Sequence, residues 1–175
     1  MSQATLRTSR LELRPLGHEH GDHIYQLDSN PEVMKYIGYG KPLTADESAI
    51  VHKLLLETAS FGSGLGCWAG FAGDDFVGWW VLAPSQSNDD PPQGFAKEGS
   101  RALVKHGLED LGVEEVFGET MAVNQGSRAI MAKIGLKHVR TFHNKYDNPP
   151  PGIEEGEVEY RVTRDEWSSQ QACAA

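Results

Sequence analysis

The sequence is poor in cysteine, and this scarcity excludes one class of fold. Among 175 residues only Cys67 and Cys173 are cysteines, so the disulfide framework of small secreted domains is excluded. No apolar run is long enough to span a bilayer, and no signal peptide is predicted. A reducing compartment is therefore the default, and we expect a cytoplasmic protein.

Positive charge is also scarce. The 16 Lys and Arg residues stand against 25 Asp and Glu, which gives a formal net charge of -9 and an isoelectric point near 5.2. Nucleic acids and anionic membranes bind basic surfaces, so neither is expected as a partner. A cationic substrate such as an amine is compatible with this charge. The length and the 39% of hydrophobic residues predict a single domain over 1–175, with a core at about 8–167 and a flexible tail at 168–175.

One early cluster of polar residues has the composition of a metal site. His18, His20, Asp22 and His23 crowd together before the first helical pattern. Zinc in proteins takes three or four such ligands, and no second acidic or Cys/His cluster stands elsewhere in the sequence. Solvated residues at a helix start are the better interpretation, so we expect no metal.

Local signals place several elements along the chain. Capping boxes at Thr44–Glu47 and Thr163–Glu166 each predict a helix start, the second of a short turn that ends near Trp167. The glycine-rich segment 61–66 precedes a strand, whereas a phosphate loop follows one, so it is interpreted as a flexible loop. Cys67 is expected to be a buried core thiol. The buried stripe of the first capped helix is predicted to be Val51, Leu54, Leu55 and Thr58. Strands are predicted at 11–16, 67–72, 76–82, 115–121, 137–142 and 157–162.

The strongest signals lie within residues 93–135. From Phe95 onward, apolar or small residues recur at helical spacing, and Gly94 stands directly before them. The unpaired N–H groups and the dipole of such a helix start make an anion site suited to a phosphate, although a plain cap is the alternative. Farther on, Asn124 predicts an N-cap and Gly135 a stop, so a second helix lies between them.

These motifs together resemble the acetyl-CoA-binding core of the GNAT N-acetyltransferases. The matching segments, in the order of that family, are Gln93–Ala96 followed by Glu98, then Asn124–Ser127, then Ile134–Leu136. The resemblance implies a mixed α/β (α+β) fold, with a mostly antiparallel sheet and helices on both faces. It also implies acetyl-CoA as the co-substrate and transfer of its acetyl group to a primary amine.

The start of the chain resembles one subgroup of that family more than others. Leu11–Leu16 and Asn30–Met34 are similar to the subgroup that contains the ribosomal-protein N-terminal acetyltransferases. In all, the likeness covers about residues 8–167. The acceptor implied is a protein N-terminus or a small-molecule amine, and a homodimer is left open.

One strand of the family is missing from the sequence. Residues 83–92 contain Pro84, Pro91 and Pro92 and no alternating apolar run, so they cannot form a central strand. GNAT proteins have a strand there, which binds the pantetheine arm and often carries the general base. Its absence leaves a second function open, that of a GNAT-like binding module without catalysis.

The resemblance assigns roles to individual residues. Where many members have a tyrosine acid, this chain has Met131. In the ribosomal-protein subgroup the serine of the Asn-x-x-Ser helix start is the proposed acid, so the resemblance implies Ser127 as the candidate acid, with a helix cap alone as the alternative. Glu119 is the candidate base, directly or through water, and should share one strand face with Phe117. Weaker base candidates in the loop beyond are His143 and Tyr146. The resemblance assigns acetyl-CoA binding to Gln93, Gly94, Phe95, Ala96, Lys97, Asn124 and Ser127.

Overall fold

The computed structural model describes residues 3–58, 64–83, 96–147 and 149–174. The strands in these ranges are β1 (Leu6–Arg7), β2 (Glu12–Pro15), β3 (Gly66–Ala72), β4 (Asp75–Leu82), β5 (Glu115–Met121), β6 (Lys137–Phe142) and β7 (Glu157–Thr163). The α-helices are α1 (Gly21–Asp28), α2 (Pro31–Met34), α3 (Ala45–Thr58), α4 (Ala96–Lys105), α5 (Gln125–Lys133) and α6 (Arg164–Ala174). Alternation of strands with helices at these places follows the pattern predicted from the sequence.

The first four strands form one antiparallel sheet in the order β1-β2-β3-β4. The predicted hairpin of β3 and β4 is confirmed, with Trp68 opposite Trp80 and a turn at Gly73, whose φ is 64°. Glycine adopts this left-handed conformation without steric cost. On the other side β3 pairs with β2, with Leu13 opposite Gly70.

The last three strands form a second antiparallel sheet in the order β5-β7-β6. The register sets Phe117 opposite Arg161, Glu119 opposite Glu159 and Met121 opposite Glu157. Since side chains alternate along a strand, residues two apart lie on one face. The predicted common face of Phe117 and Glu119 is thus confirmed.

No ladder joins β4 to β5 within the described ranges, so each of these two strands is an edge of its own sheet. The central strand predicted to be absent concerns residues 83–92, and all of these but Ala83 lie outside the described part of the chain, so its absence stays a prediction. Residues 84–95, which connect β4 to α4, lie outside the described part of the chain.

The hydrophobic core has three parts, and Leu82 at the end of β4 packs against two of them. The largest lies between the second sheet and the helices beside it, and contains Leu108, Val162 and Trp167. A second surrounds Trp68 and Trp80, and a third holds Ile24 and Cys67. Cys67 is fully buried, as expected of a core thiol.

Two predictions about helices are wrong. Leu54 does not belong to the buried stripe of α3: it is 56% exposed, because the helix instead buries Ser48 and His52 against α1 and the segment before it. The end of the chain is not a frayed tail after Trp167, since α6 continues to Ala174. Among the described residues, no helix combines the length and apolarity that a membrane crossing requires.

Candidate functional site

The start of α5 is a capped helix end at the close of β5. The Asn124 side chain accepts a hydrogen bond from the Ser127 N–H at 3.1 Å, and the Asn124 N–H donates to the Met121 carbonyl at 2.9 Å. Both side chains are buried, with Asn124 4% and Ser127 8% exposed. The predicted N-cap is confirmed, and it places two polar side chains at the N-terminal, positive end of a helix dipole.

The Ser127 hydroxyl is not part of that cap. Only its backbone N–H meets Asn124, and the hydroxyl has no hydrogen-bond partner within the described residues. Met131, one turn onward, packs its sulfur against Gly118, at 3.1 Å from where a Cβ would stand. Among the described residues, the Ser127 hydroxyl at this helix start is therefore a proton donor without a hydrogen-bond partner.

The first turn of α4 is fixed to the N-terminal hairpin. Glu98 accepts hydrogen bonds from the Thr8 hydroxyl and from Nε of Arg10, the latter at 2.7 Å. The bond from Thr8, and after it those from Arg10, hold the pKa of the Glu98 carboxyl below its usual range. Ala96 begins the helix and Lys97 is exposed. The other predicted phosphate-binding residues, Gln93, Gly94 and Phe95, lie outside the described residues.

Glu119 lies on the same face of the second sheet as Phe117. Its side chain is 10% exposed and stands 3.7 Å from the guanidinium of Arg140, which also binds Glu159 at 2.7 Å. The structure thus gives the candidate base a cationic neighbour that would compete with a substrate ammonium for its carboxylate.

The loop between β6 and β7 folds back over the end of β5. The Ala122 N–H donates to the Gly156 carbonyl at 2.8 Å, and a Cβ on Gly152 would stand 2.8 Å from the Val123 side chain. Within the same loop, Asn144 and Tyr146 each donate a hydrogen bond to the buried carboxylate of Glu157.

The early histidine cluster packs as part of the N-terminal half. His23 stacks on Phe76 at 4.8 Å between ring centroids, and His20 lies 5.7 Å from Phe71. Burial lowers the pKa of His20 and raises that of Asp28, which accepts a hydrogen bond from Ser48 at 2.6 Å. Across the described ranges, no three His, Cys, Asp or Glu side chains are grouped so as to hold a metal ion.

The sequence interpretation missed Glu157 and Asn144. The alternating residues around Glu157 predict only a strand, and its burial depends on a loop that no periodicity describes. A glutamate placed between Gly156 and Val158 was the one available signal, since glycine often marks a close backbone approach.

Comparison with known proteins places this geometry among acetyltransferases. A family model described as "Acetyltransferase (GNAT) domain" matches residues 10–137. A curated relative, the FsC-acetyl coenzyme A-N(2)-transacetylase of Aspergillus fumigatus, is 51% identical over 185 residues, covering 95% of this chain and 79% of its own.

Solved structures share the fold at much lower identity. A GCN5-related N-acetyltransferase from Brucella melitensis superposes with a TM-score of 0.76 at 15% identity, covering 98% of this chain and 84% of its own. RimL, a ribosomal L7/L12 α-N-protein acetyltransferase in complex with coenzyme A, has a TM-score of 0.68 at 14% identity, covering 93% and 99%. At this identity the likeness to RimL shows the fold alone, and it does not support the narrower ribosomal-protein subgroup.

The alignment with the fungal relative contains gaps in this chain. It spans 185 positions, whereas 95% of 175 residues is only about 166, so roughly 19 positions of the relative stand opposite those gaps.

Proposed function

The chain belongs to the GNAT acetyltransferase family and uses acetyl-CoA as its acetyl donor, and from this premise we propose that its acceptor is an amine nitrogen of a small molecule. The observation that carries the proposal is the 51% identity, over 95% of the chain, to a relative whose name specifies the N(2) position of FsC. A non-catalytic binding module is not favoured, because that relative is named as an enzyme.

The described residues supply the parts that acetyl transfer needs. We assign the CoA pyrophosphate to the first turn of α4, where Ala96 and Lys97 offer backbone N–H groups and Lys97 adds a positive charge. The pantetheine arm, which has amide groups, would follow the edge of β5 that pairs with no other described strand. Asn124 and Ser127, at the end of β5, would then meet the thioester.

The reaction is then a single nucleophilic attack of the amine on the thioester of acetyl-CoA. The amine nitrogen bonds to the thioester carbon while the C–S bond breaks, the amine loses a proton, and the departing thiolate gains one. We assign the second proton to Ser127. The observation that supports this is that its hydroxyl, on a residue that is 8% exposed, has no hydrogen-bond partner among the described residues. Glu119 remains the candidate base that accepts the proton lost by the amine.

A protein N-terminus is the second candidate acceptor. What supports it is the likeness of Leu11–Leu16 and Asn30–Met34 to the ribosomal-protein subgroup. The decisive test compares kcat/KM for FsC with that for a short peptide with a free N-terminal serine, both with acetyl-CoA. We expect FsC to be preferred by more than about a hundredfold. Preference for the peptide, or no acetylated FsC by mass spectrometry, would overturn the small-molecule proposal.

We also infer a cytoplasmic location. The observations behind it are the two cysteines and the acidic net charge of -9. Fractionation of cells that produce the chain tests it, and recovery in the membrane or secreted fraction would contradict it.

A further inference from the structure

Glu157 is a buried carboxylate for which the described residues supply no countercharge. It is 4% exposed, and in the described part of the chain no Lys, Arg or His forms an ion pair with it. Its two oxygens accept one hydrogen bond each, from the Asn144 amide at 2.7 Å and the Tyr146 hydroxyl at 2.8 Å. Both donors are neutral. Because a buried charge is costly unless it is compensated, a fold has no stability reason to choose glutamate over an uncharged acceptor here.

The position of Glu157 relates it to the reaction. In the ladder of β5 with β7 it stands opposite Met121, and the Met121 carbonyl receives the Asn124 N–H at the start of α5. The loop that carries Asn144 and Tyr146 therefore covers the end of β5, where Asn124 and Ser127 lie. Tyr146 is 42% exposed, so its ring lies at the surface while its hydroxyl points to a buried group.

The backbone conformation next to Glu157 allows the start of β7 to approach the end of β6 and the loop that follows it. Gly156 has a φ of 82°, and a Cβ there would stand 2.7 Å from the Phe142 carbonyl oxygen and 2.9 Å from the His143 ring. Only glycine fits both the conformation and the approach. The chain thus holds the beginning of β7 tightly against the end of β6.

We propose that Glu157 is the positioning residue of the acceptor side: it fixes Asn144 and Tyr146 over the end of β5, and its uncompensated negative charge favours an ammonium acceptor there. This inference rests on the proposed function for its substrate. The negative charge of the carboxylate should affect binding of the acceptor. It should not affect binding of acetyl-CoA, which we assign to other residues.

The test uses Glu157→Gln, which keeps the shape of the side chain and removes its charge, with Glu115→Gln as the matched control. Glu115 lies at the opposite end of β5, exposed, and pairs with Arg161 at 3.2 Å. With FsC and acetyl-CoA as substrates, Glu157→Gln should raise the KM for FsC about tenfold or more, as expected when a charge-assisted hydrogen bond is lost. The KM for acetyl-CoA should stay within about twofold, and Glu115→Gln should change neither constant.

A double-mutant cycle with Tyr146→Phe checks that the two residues act as a unit. The double variant should be no worse in kcat/KM for FsC than Glu157→Gln alone. Additive losses would overturn the positioning role, as would an unchanged KM for FsC in an active Glu157→Gln variant.

A readout independent of activity separates this inference from the proposed function. Lys145 is exposed between the two anchored residues, so trypsin should cleave after it faster in folded Glu157→Gln than in the wild type or in Glu115→Gln. Equal cleavage would overturn the anchoring. If the wild type failed to acetylate FsC while this cleavage result held, the proposed acceptor would fall and the anchoring would stand.

Discussion

The indole of Trp80 occupies space that side chains at two other positions would need. It lies over Gly70 of the neighbouring strand, at 2.2 Å from where a Cβ would stand, and against Gly99 of α4 at 2.3 Å. Trp80 is 7% exposed. Because both positions are glycine, the Trp80 ring can pack between the first sheet and α4, the helix whose first turn is the proposed phosphate site.

Gly99→Ala should destabilise the protein. Alanine raises helix propensity by about 1 kcal/mol, but its methyl group would push into a buried ring, and overpacking of this kind costs about 1–3 kcal/mol. Urea unfolding should show a net loss, while Ser100→Ala in the same helix should be neutral or stabilising. Gain of stability in Gly99→Ala would mean that Trp80 is not held as described.

We assign protonation of the departing thiolate to the Ser127 hydroxyl, so removing this hydroxyl tests the mechanism directly. Ser127→Ala keeps the backbone N–H that Asn124 caps, and kcat should fall about a hundredfold if the hydroxyl protonates the thiolate. Ser168→Ala, at an exposed position of α6, serves as the control. A kcat within about threefold of the wild type in Ser127→Ala would remove serine from the mechanism.

At the scale of elements, α6 shows how charge fixes a helix start. Glu166 accepts hydrogen bonds from the Lys137 ammonium at 2.8 Å and from the Thr163 N–H at 3.0 Å. The Lys137 bond, and then that of Thr163, lower the pKa of Glu166 to about 2, from 4.5 for the unperturbed group. The cap predicted from the spacing of Thr163 and Glu166 is confirmed, and it ties α6 to β6.

This pKa gives a pH dependence with a definite sign. Because the folded value lies below the unfolded one, the contribution of Glu166 to stability is present above pH 4.5 and is lost as the pH falls toward about 2. Glu166→Gln should therefore be less stable than the wild type at pH 7, and the difference should shrink at pH 3. Urea unfolding at both values measures it, with exposed Glu154→Gln as the control; a difference that grows at pH 3 would contradict the assignment.

The elements predicted well are those with local signals. Asn124, Thr44 and Thr163 mark helix starts through side-chain hydrogen bonds within a few residues, so spacing alone predicts them. The end of α6 depends instead on distant partners. Gln170 donates to the Gly135 carbonyl at 3.0 Å, and Gln171 accepts from Arg101 at 2.8 Å. Contacts between residues far apart in sequence leave no periodic trace, and the predicted tail was wrong for that reason.

In the candidate site, too, residues with local sequence signals were predicted and residues that depend on distant contacts were not. The sequence predicts Asn124 as a helix cap, and the resemblance to the family implies the site roles of Asn124 and Ser127. Glu157 was not, because its burial requires Asn144 and Tyr146 to fold back from the preceding loop. The roles of Glu119 and Ser127 in the reaction stay predictions.

At the scale of the molecule, two sheets that share no ladder among the described residues are held together by side-chain packing. Leu82, at the end of β4, contacts the cores of both sheets. Gly107 lets it approach Val116 of β5: a Cβ there would stand 3.3 Å from Leu82 and 3.4 Å from Val116. The end of β4 and the start of β5 thus approach each other through the side chains of Leu82 and Val116. The helix starts of α4 and α5 are the donors that we propose for acetyl-CoA.

The central claim is that this arrangement binds acetyl-CoA, and calorimetric titration of the cofactor tests it most directly. Ala96→Pro is the informative variant, since proline suits the first position of a helix yet lacks the N–H assigned to the pyrophosphate. Ala45→Pro makes the same change at the first position of α3 and is the matched control.

We predict one acetyl-CoA per chain for the wild type and for Ala45→Pro, with affinity about tenfold weaker in Ala96→Pro from the loss of one charge-assisted hydrogen bond. Folded wild-type protein that releases no heat of binding would contradict the account. Equal affinity in all three would place the pyrophosphate away from α4.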